Sequence, residues 1–184
     1  MSHVFHLSEQ MFREKKHLLL DTPDFVVHTF LFDSGVAGLQ ISNSRGHIIM
    51  LPYQGQQIWS AVFDGRALGM KSMFSEPQPT TTYLHTYGGF FIHCGATRMG
   101  VPSATDAHPL HGELPNARYQ KAWLTLGSDA RGEYIGISGS FRYTVAFNDN
   151  YVAVPEVRVY ANQTLMTVSL EIQNHKKSPM DLMY

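Results

Sequence analysis

The stretch "FVVHTFLFDSGVAGLQISNSRGHIIMLPYQGQQIWSAVF", residues 25–63, decides the fold class of this chain. Its apolar runs are short and rich in β-branched and aromatic residues, and they occupy residues 25–32, 35–42, 46–52 and 57–63. The residues between the runs are turn formers: Asp33-Ser34-Gly35, Asn43-Ser44-Arg45-Gly46 and Tyr53-Gln54-Gly55. Asp64-Gly65 then adds a hairpin signal. The pattern predicts consecutive antiparallel strands.

The second half of the chain repeats this pattern. Strand-like runs occupy residues 119–127, 132–147, 151–161 and 164–174. Side chains alternate in character along residues 164–174, which predicts a strand with one buried face. Many short strands with little helix indicate an all-β fold, an antiparallel β-sandwich or barrel.

Composition limits the functions that this chain can have. A length of 184 residues with 43% hydrophobic and 16% charged residues is typical of a single globular domain. A net charge of -1 provides no electrostatic surface for nucleic acid. Cys94 is the only cysteine, so no internal disulfide forms. The sequence shows neither a signal peptide nor an apolar run of membrane-spanning length, so we expect a cytoplasmic protein with no membrane partner.

Residues 1–24 precede the first predicted strand and are predicted to be an N-terminal extension. Within them, "SEQMFREKKHLL" (8–19) is the one segment that predicts a short helix, with Ser8 as its N-cap.

The strand pattern loosens between residues 71 and 117, where prolines are frequent. Aromatic and histidine residues are also dense there, which argues against disorder and favours a functional loop. The most polar part is "HCGATRMGVPSATDAHPLHGELPNA" (93–117), with three histidines and Cys94.

The residues of this segment leave three kinds of chemistry open. His108 and His111, with Glu113 close behind, could bind a metal as in cupin-like enzymes. Cys94 could be a nucleophile, although a lone cysteine is more often a small buried hydrophobe. His111 could transfer protons, because Gly112 lets the backbone turn so that the imidazole faces a cavity. The competing structural interpretation is that His111 only bonds its own loop.

Three stretches resemble the aldose 1-epimerase (galactose mutarotase-like) family, in particular a bacterial branch whose substrates are poorly defined. "YGGFFIHCGATRMGVPSATDAHPLHGELPNA" (87–117) resembles the segment that runs through the family's Leu-His-Gly motif. "GLQISNSRGHIIMLPYQGQQIW" (38–59) resembles its opening hairpin, and "LEIQNHKKSPMDLMY" (170–184) resembles a later strand and turn. The resemblance runs from about residue 35 to residue 184.

The resemblance implies a large antiparallel β-sandwich that binds a sugar on its concave face and interconverts the two anomers. A base takes the proton of the anomeric hydroxyl while an acid protonates the ring oxygen, and no metal or organic cofactor is needed. His111 matches the motif histidine and is the implied catalytic residue. Arg98 and Asn116 are the implied substrate-binding residues. Glu113 stands where the relatives have Gly or Arg, so its role as a substrate-binding residue is open: it could bond a sugar hydroxyl, orient His111 or be a surface carboxylate.

The family's second histidine and its catalytic glutamate have no counterpart up to residue 184. We therefore expect an incomplete, N-terminal portion of the sandwich that has little or no activity as this chain. Uncovered strand edges are expected to favour homo-oligomers. A different class of function is a non-catalytic carbohydrate-binding module that uses exposed aromatic rings. Its candidate rings are Trp59, Tyr83, Tyr87 and Trp123.

Overall fold

The alternation of apolar and polar residues is realised as two antiparallel sheets. The structure is a computed structural model that describes residues 2–184. Its strands are β1 (His3–Leu7), β2 (His17–Asp21), β3 (Val26–Leu31), β4 (Ala37–Asn43), β5 (Gly46–Met50), β6 (Ile58–Phe63), β7 (Arg66–Ala67), β8 (Lys121–Asp129), β9 (Gly132–Val145), β10 (Asp149–Tyr160) and β11 (Met166–Asn174). Every run predicted from the sequence overlaps one of them, so the predicted all-β sandwich is confirmed.

The two sheets differ in how the chain builds them. The six-stranded sheet has the order β2-β3-β4-β5-β6-β7, in which each strand pairs with the next along the chain. The five-stranded sheet has the order β1-β8-β9-β10-β11, so its first strand comes from the N-terminus and pairs with a strand from the second half. The chain therefore crosses between the sheets twice, once after β1 and once between β7 and β8.

The inner faces of both sheets meet in the main hydrophobic core. Leu39 and Ile41 on β4 are fully buried, as are Val157 and Val159 on β10. The members of each pair are two residues apart, so they point to the same face of their strand. This spacing is the reason that the predicted strands have one apolar side.

A second core lies on the same face of the five-stranded sheet but is covered differently. On β9 and β10 the alternation continues through Phe141, Tyr151 and Ala153, which pack against Ala96 and Leu114. Those two residues belong to the irregular segment between the sheets, not to a strand. The long loop is therefore packed onto the sheet, and this packing positions the candidate site.

The N-terminal segment departs from the prediction of a helical extension. Helix is limited there to one 3-10 turn at Glu9–Met11, and Ser8 makes no side-chain cap bond. β1 and β2 instead add one strand to each sheet. The end of the predicted helix instead begins β2, whose pairing with β3 satisfies backbone groups that a short isolated helix leaves open. Within residues 2–184 no helix is long and apolar enough to cross a membrane.

β11 also departs in part from its prediction. Its inward residues Leu170 and Ile172 are only half-buried, and Val168 is 36% exposed. β11 is an edge strand, and β10 is its one neighbour in the sheet. Its side chains therefore have neighbouring side chains of the sheet on one side only. Association through this edge stays a prediction.

Replacing Leu39 by alanine tests the core. Leu39 is 0% exposed, so we expect Leu39→Ala to lower the free energy of unfolding by about 2–5 kcal/mol. The control is Leu84→Ala at a leucine that is 62% exposed, where a change within about 0.5 kcal/mol is expected. Urea unfolding measures both, and equal effects would contradict this assignment of the core.

Candidate functional site

Two loop segments cross at the candidate site, and their contact is between glycine backbones. Gly95 and Gly112 form an isolated parallel bridge. A Cβ on Gly112 would lie 2.4 Å from the carbonyl oxygen of Arg98, and one on Gly95 would collide with the carbonyl oxygen of Met183. Both glycines have φ +83°. No residue with a side chain fits either position, which explains why glycine follows Cys94 and His111 in this segment.

His111 is held at this crossing in an unusual backbone conformation. Its φ is +60°, a left-handed value that is uncommon for a residue with a side chain. Its N–H donates to the carbonyl of Gly100 (2.9 Å), and its carbonyl accepts from the N–H of Gly95 (2.7 Å). Strained residues of this kind concentrate at functional sites.

The imidazole of His111 lies on an aromatic stack. Its ring centroid is 4.5 Å from that of Tyr83, and Tyr83 stacks on Tyr87 at 5.8 Å and 10°. His111 is half-buried, and its ring nitrogens bond to none of the residues 2–184. A ring that is fixed by packing and has free nitrogens can exchange protons with a ligand.

Glu113 clamps the loop to the sheet. Its carboxylate accepts the N–H of Thr97 (2.9 Å), the hydroxyl of Thr97 (3.0 Å) and the hydroxyl of Tyr151 on β10 (2.8 Å). Burial, followed by the nearby Glu113 charge, raises the pKa of Tyr151, so its hydroxyl remains a donor. The sequence predicted a substrate-binding role for Glu113, whereas these bonds give its oxygens structural partners.

Asn116 is placed in the interior. It is 2% exposed, and its side-chain oxygen accepts from Gln57 (2.8 Å) and, at 3.5 Å, from Gln54. Its amide nitrogen has no hydrogen-bond partner among the described residues. The predicted substrate-binding role of Asn116 stays a prediction.

Arg98 and His108 lie beside a different opening. They line a cavity of about 510 Å³ together with Asp149 and Lys176, and His111 is not among its lining residues. The guanidinium of Arg98 donates to the carbonyl of its neighbour Thr97 (2.7 Å). The predicted substrate-binding role of Arg98 stays a prediction.

For the metal-binding alternative, the part of the chain that the structure describes contains no suitable set of ligands. There, no group of three His, Cys, Asp or Glu side chains could hold an ion. His108 Nδ1 is 2.8 Å from the carbonyl oxygen of Pro109, and His111 packs on Tyr83. The two histidines thus have separate environments.

His93 and Tyr184 form a pair that the sequence pattern did not identify. His93 is 0% exposed, and its Nδ1 is 2.9 Å from the hydroxyl of Tyr184. Burial lowers the pKa of His93 to about 4, so the ring is neutral at pH 7. Tyr184 lies in the stretch "LEIQNHKKSPMDLMY" (170–184), far from His93 in sequence, so the pair is visible only in the tertiary structure.

Cys94 follows His93 and is half-buried. Burial raises the pKa of its thiol, which works against the thiolate that a nucleophile requires. The nucleophile alternative is therefore not supported by this environment.

The aromatic rings proposed as sugar platforms separate into two groups. Trp59 is 9% exposed and packs in a small core with Val36 and Leu51. Trp123 lies near His6, with ring centroids 6.2 Å apart, on the outer face of the five-stranded sheet. Only Tyr83 and Tyr87 belong to the stack at His111.

Comparisons with known proteins agree with this architecture. Residues 33–184 match the model of the family described as Domain of unknown function (DUF4432). A crystal structure of a candidate aldose 1-epimerase from Klebsiella pneumoniae subsp. pneumoniae MGH 78578 is similar with a TM-score of 0.82 and 16% identity. The match covers 99% of this chain and 54% of that one, so this chain spans about half of its length. No curated protein sequence matches. At this identity the likeness shows an aldose 1-epimerase-like fold.

Substituting Gly112 tests the backbone crossing. Gly112→Ala meets both a left-handed φ and the carbonyl of Arg98, whereas Gly35→Ala meets the same φ of +83° with nothing within 4 Å. The left-handed conformation costs each variant about 1–2 kcal/mol. We expect Gly112→Ala to lose at least about 2 kcal/mol more than Gly35→Ala in urea unfolding. Equal losses would show that the crossing is looser than described.

The burial of His93 predicts a pH dependence of stability. Its pKa is lowered from 6.5 to about 4, so its contribution is present above pH 6.5 and is lost as pH falls towards 4. Between pH 7 and pH 5 we expect it to cost about 2 kcal/mol of unfolding free energy. His93→Gln should remove this part of the slope, and His85→Gln at an exposed histidine should keep it. Urea unfolding at both pH values measures the slopes, and parallel slopes for all three proteins would refute the assignment.

Proposed function

This chain belongs to the family described as Domain of unknown function (DUF4432), and from that premise we propose that it is a carbohydrate-acting, aldose 1-epimerase-like protein. The proposal is supported by the fold, which is similar to that of a candidate aldose 1-epimerase. Because this chain spans about half of that structure, the activity proposed is that of the whole protein. The substrate is an aldose with its hydroxyls free.

The chemistry requires one acid and one base on the sugar. A base removes the proton of the anomeric hydroxyl, an acid protonates the ring oxygen, and the bond from C1 to that oxygen breaks. The open aldehyde rotates about C1–C2, and the reverse steps close the other anomer. His111 is assigned the acid role at the ring oxygen, because an imidazole can donate and accept a proton near neutral pH.

The observation that carries this proposal is the state of His111. A half-buried imidazole is held by two backbone hydrogen bonds in a left-handed conformation and packs on Tyr83. A residue that only bonded its own loop would use its ring nitrogens there, and those of His111 bond to none of the described residues. Positioning without internal hydrogen bonding is what a proton-transfer group requires.

A carbohydrate-binding protein without catalysis is the second candidate. The hydrogen bonds of Glu113 favour this candidate. Glu113 is the carboxylate nearest to His111 in sequence, and it accepts hydrogen bonds from Thr97 and Tyr151. A carboxylate with these partners is a poor base for the anomeric hydroxyl. The two candidates share one binding site and differ in whether anomer exchange is accelerated.

Substituting His111 tests the proposed function, with His108→Asn as the matched control on the same loop. We expect the chain to bind D-glucose or D-galactose in saturation-transfer NMR, and His111→Asn to weaken that binding about tenfold. Polarimetry of freshly dissolved α-anomers measures catalysis. Any acceleration above buffer should fall by about 10²–10⁴ in His111→Asn and persist in His108→Asn.

Binding with His111-dependent acceleration supports the isomerase over the binding protein. Binding without acceleration agrees with the binding protein and also with the isomerase, because this chain spans about half of the similar structure. No binding of either sugar, or equal behaviour of both variants, would contradict the proposed site.

A further inference from the structure

A cavity at the turn of the β3–β4 hairpin is distinct from the crossing at His111. It has a volume of about 340 Å³, and His111 is not among the residues that line it. Part of its lining is apolar and comes from Phe12, Leu31, Val36 and Ala37. Small-molecule sites typically have volumes of about 300–1,000 Å³ and a largely apolar lining. The size of this cavity and its apolar part therefore suit a small ligand.

The cavity is assembled from segments that are fixed to one another. The N–H of Leu31 donates to the carbonyl of Arg13 (2.8 Å), which joins β3 to the N-terminal segment. Gln54 and Arg118 form an isolated antiparallel bridge, and the side-chain N–H of Gln54 donates to the carbonyl of Gln78 (2.9 Å). These hydrogen bonds hold the lining in place before a ligand arrives, which lowers the entropic cost of binding.

Two opposite charges line this cavity, and neither has an ionic partner. Glu9 and Arg118 are both exposed lining residues. The ion pairs found in residues 2–184 involve neither of them. The guanidinium of Arg118 makes one long contact, at 3.5 Å, with the carbonyl oxygen of Pro79. A carboxylate and a guanidinium are therefore both available to a ligand in the same cavity.

The rest of the lining adds aromatic surface without adding charge. Tyr53 lines the cavity, and its ring meets that of Phe12 edge-on, with centroids 5.7 Å apart. Burial, with a smaller effect of the Glu9 charge, raises the pKa of Tyr53 to about 12, so this side chain is neutral at pH 7. Phe12 and Val36 are buried, with 5% and 6% exposure. The apolar part is thus held by core packing.

This combination of groups selects the chemical class of the ligand. A wholly apolar ligand would strip water from Glu9 and Arg118 and give them no partner, which is costly. A sugar ring would place several of its hydroxyls against Phe12, Leu31 and Val36, where they also lack partners. A ligand with an apolar body, an ammonium and a carboxylate avoids both costs, because each of its charges meets the opposite charge.

We propose that this cavity binds a small zwitterion with an apolar body, of the class of the apolar α-amino acids. Glu9 accepts hydrogen bonds from the ammonium, Arg118 donates to the carboxylate, and the body packs on the apolar part of the lining. The site is additional to the carbohydrate site proposed above and does not rest on it.

Three related ligands test the two charges from the ligand side. In ¹H–¹⁵N NMR titrations of the chain, we expect L-phenylalanine to cause saturable shifts in residues 31–37. We expect 3-phenylpropionate, which lacks the ammonium, and 2-phenylethylamine, which lacks the carboxylate, to bind about three- to tenfold more weakly, because each loses one charged hydrogen bond at an exposed group. No shift with L-phenylalanine, or equal affinity for all three ligands, would overturn the proposal.

Two variants test the same charges from the protein side. Glu9→Gln should weaken binding of L-phenylalanine and 2-phenylethylamine about three- to tenfold and leave 3-phenylpropionate unchanged. Arg118→Gln should weaken L-phenylalanine and 3-phenylpropionate and leave 2-phenylethylamine unchanged. The controls are Glu14→Gln and Arg66→Gln, at exposed residues that do not line the cavity, and they should bind all three ligands as the unsubstituted chain does.

The pattern across ligands separates charge recognition from damage to the fold. A variant that weakens all three ligands equally would contradict the assigned contact. Shifts in residues 31–37 with D-glucose but not with L-phenylalanine would overturn the class of ligand. None of these results depends on His111, so failure here leaves the proposed carbohydrate function standing, and failure of that function leaves this site standing.

Discussion

The contact between the backbones of Gly95 and Gly112 is the constraint on which the candidate site depends. Side chains are excluded on both residues by carbonyl oxygens of neighbouring segments. His111, the residue before Gly112, has a left-handed φ of +60° at this contact. A site built on such a contact is rigid, although its segments are loops by secondary structure.

The same loop is tied to the sheet by a single carboxylate. Glu113 accepts three hydrogen bonds, two from Thr97 and one from Tyr151 on β10. A partly buried charge is costly unless donors surround it, and here the donors come from both elements that must be joined. The carboxylate is thereby committed to holding the loop on the sheet.

The departures from the sequence-based interpretation come from contacts between segments. Residues 8–19 have helical character, but His17 to Leu19 begin β2, whose pairing with β3 prevails over local preference. Asn116 was predicted to bind the substrate, and in the structure its side-chain oxygen accepts from Gln57 of another segment. The strands between 25 and 63 were predicted well, because each pairs with its neighbour in sequence.

The amino-acid pattern determined the fold class and pointed to His111 on its glycine turn. Both signals are local: strand alternation has a period of two residues, and a turn needs its glycine in place. Which side chains meet was decided by tertiary packing. Tyr83 packs on His111, and His93 contacts Tyr184; each pair joins residues from separate segments through long-range contacts that no local pattern encodes.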